Sequence, residues 1–194
     1  MVNKEVYPIN SNSYLLSNIK SNPIEAIEDI MDTYGNDVKK FIYTYLKNEA
    51  DTDDVTQDVF VTVYLKIGTF KGDSSLKTWI YSIAANMCKD YIRRHRLRPQ
   101  NLFQRLTQQE FKKNQTSDIA EDYIRSTVKE GLFEKIMELP VKYREVIILY
   151  YYKDLSIKEI SYVLKEKEST LQSRLLRARK KLRELINKGG IVLG

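Results

Sequence analysis

Between residues 24 and 187 the apolar side chains recur every three or four positions, with one long interruption. Ile27, Ile30, Met31, Tyr34, Val38, Phe41, Ile42, Tyr45 and Leu46 trace the buried stripe of an amphipathic helix. Asn22-Pro23 followed by Glu25 supplies a helix start: a cap, a proline at the first position and an acid in the first turn. A second helix is predicted to open at Asp51 to Asp54, with Val55, Val59, Phe60, Val63, Tyr64 and Ile67 as its core stripe. Gly68 to Ser75 reads as a loop containing Gly72. A third helix then buries Leu76, Trp79, Ile80, Ile83, Ala84, Met87 and Tyr91. It leaves Lys77, Asn86, Lys89, Asp90, Arg93 and Arg94 on the opposite face.

The pattern lapses from Arg96 to Ser117, where Arg, Gln, Asn and Lys dominate, so this stretch reads as a basic linker. Helical spacing resumes near Asp118 and runs past Glu138 to Leu139-Pro140. Three more helices are predicted over 141–152, 156–164 and 169–187. Tyr150-Tyr151-Tyr152 reads as helix packing with one exposed ring. Residues 1–22 show no such spacing and read as an irregular extension. Seven Gly and four Pro in 194 residues leave little turn material for a sheet-rich fold. The fold class is therefore all-α: two small helical bundles joined by a basic linker.

Charge divides the chain in the same way. Residues 24–60 carry ten acids against three bases, and residues 165–188 carry nine bases against three acids, so the two halves suit different partners. The net charge of +6 is by itself only a weak pointer to nucleic acid. The single cysteine, Cys88, cannot form an internal disulfide and reads as a buried structural thiol; with the single histidine, His95, it makes no zinc site. No metal or other cofactor is expected. The first twenty residues lack the apolar core of a signal peptide, and no run approaches the length of a membrane span, so the chain reads as cytoplasmic.

The segment with the clearest chemistry begins at Leu155-Ser156-Ile157-Lys158-Glu159-Ile160-Ser161 and, after a break, continues from Ser169 to Leu182. Ser156 and Glu159 have the spacing of a capping box, and Ser169 is placed to cap the second helix. Two short helices in this order, the second basic, make a helix-turn-helix, in which the second helix lies in the major groove. Leu171, Leu175, Leu182 and Ile186 face inward, leaving Gln172, Ser173, Arg174 and Arg177 for bases and phosphates. The bland alternative is a solvated basic helix in an ordinary bundle.

Leu155 to Leu182, together with Leu139-Pro140 and Tyr143-Arg144-Glu145-Val146-Ile147, resembles the fourth domain of bacterial RNA polymerase sigma factors. Asp53 to Phe60 and the run from Phe70 to Asn86 independently resemble the second sigma domain. The short linker matches the extracytoplasmic-function (ECF) group. The resemblance implies an N-terminal extension over 1–22, sigma domain 2 over 23–95, a linker over 96–117 and sigma domain 4 over 118–190.

It further implies a promoter-recognition subunit, not an enzyme and without a small-molecule substrate. Asp54, Gln57 and Asp58 would bind the clamp coiled coil of the largest subunit of core RNA polymerase. Phe70, Lys71, Gly72, Asp73, Ser74, Lys77, Asn86, Lys89, Asp90, Arg93 and Arg94 would melt and read the −10 element of promoter DNA. Ser169, Thr170, Gln172, Ser173, Arg174, Arg177, Arg179 and Lys180 would read the −35 element. An anti-sigma protein, often membrane-bound in this family, is the implied regulator. Where the family often opens the helix-turn-helix turn with glycine, this chain has Lys165, followed by Glu166. A non-glycine residue in a left-handed conformation costs roughly 1–2 kcal/mol, so the turn is expected to differ in shape.

Two other classes compete with this reading. A transcription regulator with a helix-turn-helix and a helical sensor domain would leave the Asp54-Gln57-Asp58 face and the Lys71-Gly72-Asp73 loop unexplained. A helical nucleic-acid enzyme would need an acid/base or metal set that the sequence does not offer.

Overall fold

The computed structural model describes residues 22–96 and 131–188, and every described element is helical. The N-terminal extension, the linker and the predicted helical stretch up to residue 130 lie outside the described residues. The first bundle comprises α1 (Pro23–Leu46), α2 (Glu49–Lys66), a 3₁₀ turn (Ile67–Thr69) and α3 (Leu76–Arg96). The second comprises α4 (Leu132–Glu138), α5 (Val141–Ile147), a π-helical turn (Ile148–Tyr152), α6 (Ile157–Leu164) and α7 (Glu168–Lys188).

Helix α1 begins where Asn22 and Pro23 predict, although the Asn22 side chain does not cap the backbone. Its amide donates instead to Glu25 Oε2 at 2.8 Å. Lys47 ends the helix in a left-handed conformation, φ 56°, its N–H donating to the Tyr43 carbonyl. Asn48 then caps α2 at once, accepting from the Asp51 N–H at 2.9 Å, so α2 starts at Glu49, ahead of the predicted Asp51. The α2 stripe is Thr52, Val55, Val59, Phe60 and Val63. Tyr64, predicted to join it, is 46% exposed, and Met31 of α1 is exposed as well. Both sit at the edge of their stripes, where three-to-four spacing continues but the neighbouring helix does not.

In the second bundle the predicted helix ending at Glu138 begins, among described residues, only at Leu132, after Gly131 takes φ 89°. The predicted 141–152 helix changes form after Ile147. The Lys153 N–H donates to the Ile148 carbonyl, closing a wider π turn that leaves Tyr151 exposed between two half-buried tyrosines. The Ser156 box forms in full: Ser156 Oγ accepts from the Glu159 N–H at 3.3 Å, and Glu159 Oε2 accepts from the Ser156 N–H at 2.9 Å. Helix α7 starts at Glu168, which places Ser169 inside the first turn and not at the cap.

The two bundles pack on each other. Helix α6 lies along α3 and α5 lies against α1, and the buried apolar residues of both halves form one continuous cluster. This is why α3 is more enclosed than its stripe predicts: Thr78, Tyr81, Ala85 and Cys88 are buried together with Ile80 and Ala84. Burial pushes the Cys88 thiol pKa far up, as fits a structural cysteine. No described helix is long and apolar enough to cross a membrane, and no cluster of metal-ligating side chains occurs among the described residues.

Candidate functional site

Three surfaces carry the residues singled out by the sequence. The first is the outer face of α2. Asp54, Gln57 and Asp58 are all exposed there, one helical turn apart, while the core stripe holds the opposite side. Asp53 beside them pairs with Lys39 of α1 at 2.5 Å. The face continues toward the helix C-terminus through Val61 and Leu65, exposed at 52% and 73%. Sequence reasoning missed these two. Their three-to-four spacing from Gln57 and Asp58, off the core stripe, was the available signal.

The second surface is the loop before α3 and the polar side of that helix. Lys71 and Asp73 are exposed, and Gly72 takes φ 78°, a conformation glycine adopts at little cost. Ser75 closes the loop by accepting from the Thr78 N–H at 3.1 Å. Phe70 is buried, its ring centroid 5.4 Å from that of Trp79, so it anchors the loop and presents no open stacking face. Along α3 the polar residues divide into two groups. Arg93 and Arg94 are exposed, with Arg93 paired to Asp90 at 3.0 Å. Lys77, Asn86 and Lys89 are half-buried against the second bundle. Lys77 Nζ donates to the Lys153 carbonyl at 2.5 Å, Lys89 Nζ lies 3.4 Å from Glu145 Oε2, and Asn86 lines a groove closed by Ser161, Tyr162 and Lys165.

The third surface is the N-terminal half of α7. Ser169, Thr170, Gln172, Ser173, Arg177 and Lys180 are all exposed, and a polar groove lined by Ser169, Thr170, Ser173, Arg174 and Arg177 runs to Lys142 and Tyr143 of α5. Leu176, which sequence reasoning passed over, stands among them 67% exposed. Its apolar class hid it in a helix whose other leucines are core.

Arg174 lines the same groove, but its guanidinium is committed to acids of its own bundle. Its side chain is 16% exposed, with Nη1 donating to Glu145 Oε1 at 3.0 Å and Nη2 donating to Glu166. Arg179 is drawn aside too, its guanidinium within 5.7 Å of the Tyr150 ring and 5.4 Å of the Tyr151 ring.

The unusual turn fits this arrangement. Lys165 takes the left-handed conformation, φ 56° and ψ 44°, that glycine would adopt more cheaply. Glu166 is then held from two sides: its carbonyl accepts from Ser161 Oγ at 2.5 Å and its carboxylate pairs with Arg174. Three residues, Lys165 to Lys167, join α6 to α7 without the glycine.

Glu145 is the electrostatic centre of the fold. It is 3% exposed and accepts from Tyr45 Oη at 2.7 Å as well as from Arg174. Burial raises its pKa, against the opposing pull of Lys89, Tyr45 and Arg174. The neighbouring Arg144 is buried also, donating to the Thr44 and Leu139 carbonyls, and desolvation lowers its pKa to about 10.

A chain whose described elements are all helical, with a capped helix-turn-helix in one bundle and an acidic helix face in the other, has the parts of a sigma-type initiation subunit. Comparison with known proteins agrees with the geometry: the Sigma-70 region 2 model matches residues 30–98 and the Sigma-70 region 4 model matches residues 130–182. The ECF RNA polymerase sigma factor SigM of Bacillus subtilis is 32% identical over 177 residues, covering 84% of this chain and 97% of that one. SigW of the same organism is 28% identical, covering 87% and 93%. Among solved structures, RpoE of Bartonella quintana, determined with the anti-sigma factor NepR, superposes with a TM-score of 0.65 at 19% identity, over 84% of this chain and 98% of that one. The chain belongs to the ECF sigma-factor family.

Proposed function

We propose that this protein is a cytoplasmic transcription initiation subunit, with no catalytic activity of its own, that binds core RNA polymerase and directs it to promoters. The observation that carries the reading is the pairing, on one family-matched chain, of an exposed helix-turn-helix face with an exposed acidic helix face.

On α2, Asp54, Gln57 and Asp58 offer acceptors to basic side chains of the polymerase clamp, and Val61 and Leu65 extend that surface with apolar area. On α7, Gln172 and Ser173 are placed for base edges of the −35 element, Leu176 for a thymine methyl, and Arg177 and Lys180 for phosphates. Arg174, in the groove beside them, supports that helix through its two ion pairs. On the first bundle, Lys71, Gly72, Asp73 and Ser74 form the loop that engages the opened −10 strand. Asn86 offers a paired donor and acceptor to an adenine edge, and Lys77, Lys89, Arg93 and Arg94 line a phosphate track. An anti-sigma protein, as found on the Bartonella relative, is the partner class that would hold the factor inactive.

Run-off transcription with purified core polymerase tests the reading. The factor should confer initiation at a discrete start site on templates that core alone does not use. Absence of any factor-dependent transcript across a genomic promoter library overturns it.

A further inference from the structure

Lys165 holds a left-handed turn that glycine would hold more cheaply, and its side chain lines a groove formed where α6 meets α3. Lys66, the last residue of α2, lines the same groove from the other bundle. The two ammonium groups therefore share one cleft. No carboxylate is among the described residues that line it, and the acid next to Lys165, Glu166, is taken by Arg174. Like charges gathered without a counter-charge raise the positive potential of a cleft and suit it to an anion. The bundles share one continuous apolar cluster, so the groove is built into the packing of the free chain.

The rest of the lining selects what the anion is attached to. Trp79 is half-buried and held against Phe70, and Tyr162 is 44% exposed, so two rings offer surface to a planar group. Three hydroxyls of the groove have their protons committed to backbone carbonyls: Thr69 to Lys66 at 2.6 Å, Ser82 to Trp79 at 2.7 Å and Ser161 to Glu166 at 2.5 Å. Each keeps a lone pair with which to accept. The Asn86 amide, without a hydrogen-bond partner among the described residues, adds a donor and an acceptor side by side. The groove thus meets an anion with two ammonium groups, and a planar ring bearing N–H donors with aromatic surface, an amide and hydroxyl acceptors. Its volume is about 440 Å³, that of a small-ligand pocket.

We propose that this groove is a binding site for a free nucleoside phosphate, with Lys66 and Lys165 on the phosphates and Trp79, Asn86 and Tyr162 on the base. A phosphate chain set between the lysines removes their mutual repulsion. The base gains stacking in addition to its amide contact. A nucleic-acid strand carries the same chemistry, but strand sites track several nucleotides along an open channel, whereas this groove ends against α6 and its turn. The site does not depend on the promoter-reading role. Only Asn86 is shared, so under that role a bound nucleotide and the opened strand compete for one amide.

The experiment uses the full chain without polymerase or DNA. Trp79 is the single tryptophan, so its emission reports on this groove. ATP should quench it with half-saturation below about 1 mM, and equilibrium dialysis should show the same saturable binding. ATP should bind about tenfold or more tighter than either tripolyphosphate or adenosine, the gain expected from joining one stacked base to the phosphates. Lys165→Gly eases the turn, so the melting temperature should hold within a few degrees while ATP affinity falls about tenfold, as for loss of a charge-assisted contact. Lys66→Gln should lower it similarly. Lys167→Gln, which alters an exposed lysine of the same turn outside the groove, should not. Equal binding of ATP and tripolyphosphate would reveal a counterion effect only, and undiminished ATP binding by either groove-lysine variant would put the nucleotide elsewhere; each outcome overturns the site. A single-stranded oligonucleotide that quenches Trp79 where ATP does not gives the groove to the strand and overturns it equally. None of these measurements involves transcription, so the site and the promoter-reading role fail separately.

Discussion

Arg174 reaches from the recognition helix to Glu145 on the entry helix, its Nη1 3.0 Å from Oε1, and so braces the helix-turn-helix. A residue that the sequence assigns to DNA is thus tied to two acids of its own bundle. Arg174→Ala leaves the buried Glu145 carboxylate to Tyr45 and Lys89 alone and frees Glu166 beside the left-handed Lys165. It should destabilise the second bundle by about 3 kcal/mol, the usual cost of removing one partner of a buried pair. Arg174→Lys should recover only part of this, because a single ammonium cannot serve two carboxylates as a forked guanidinium does. Urea unfolding followed by circular dichroism measures both. If Arg174→Ala keeps full stability and loses only duplex affinity, the residue reads DNA and is not a support.

The α2 face separates charge from packing. Asp54→Lys with Asp58→Lys should weaken binding to core polymerase at least tenfold and leave the melting temperature within a few degrees, since both side chains are exposed. Leu65→Ser should weaken binding as well, but with little dependence on salt, whereas the charge reversal should show a strong one. Core pull-down across a salt series distinguishes the two. Normal pull-down by the folded double Lys variant removes α2 from the interface.

The capping box makes a pH prediction. Burial alone would raise the Glu159 pKa, but hydrogen bonds from Ser156 and Thr78, with Lys77 nearby, hold it below the usual carboxylate range. The unfolded chain therefore binds this proton more tightly than the folded one. The stabilisation is present above the ordinary carboxylate pKa and fades as pH falls through the lower folded value. Ser156→Ala should cost about 1 kcal/mol near neutrality and flatten the decline in stability on acidification. Thermal melts between pH 3 and 7 provide the test, and a variant curve parallel to the parent's would show that the Ser156 bonds do not set the Glu159 proton affinity.

The exposed face of α7 should divide by function. Gln172→Ala should relax base preference at one position of the −35 element, at about 1–3 kcal/mol for a lost base contact. Arg177→Ala should weaken binding to all sequences and reduce the salt dependence by about one counterion. Selection of duplexes by holoenzyme, repeated with each variant, reports both. Identical selected sequences for parent and Gln172→Ala would take that residue out of base reading.

The three-to-four spacing of Val38, Phe41, Ile42 and Tyr45 specified α1, and the Ser156 and Glu159 pair specified the start of α6. Both signals are local, because a helix stripe and a capping box are decided within a turn or two of chain. What stayed illegible is what the bundles do to each other. Nothing within a turn of Arg144, Glu145 or Lys153 distinguishes them from solvated charges. Their partners Thr44, Tyr45 and Asp37 lie about a hundred positions away. The polar side of α3 was read as open for the same reason: α6, which covers it, is equally remote in sequence. Tyr64 and Leu176 show a smaller limit, since residue type alone does not say whether a ring or a leucine meets a neighbouring helix.

Lys89 belongs to one bundle and its nearest carboxylate, Glu145, to the other, 3.4 Å away. Its ammonium is therefore committed across the junction, and any further anion that approaches α3 competes with Glu145 for it. Removing the charge at this one position costs the junction a contact and lowers the positive potential of the helix at the same time. A single side chain thus couples how the two halves pack to what the helix can attract.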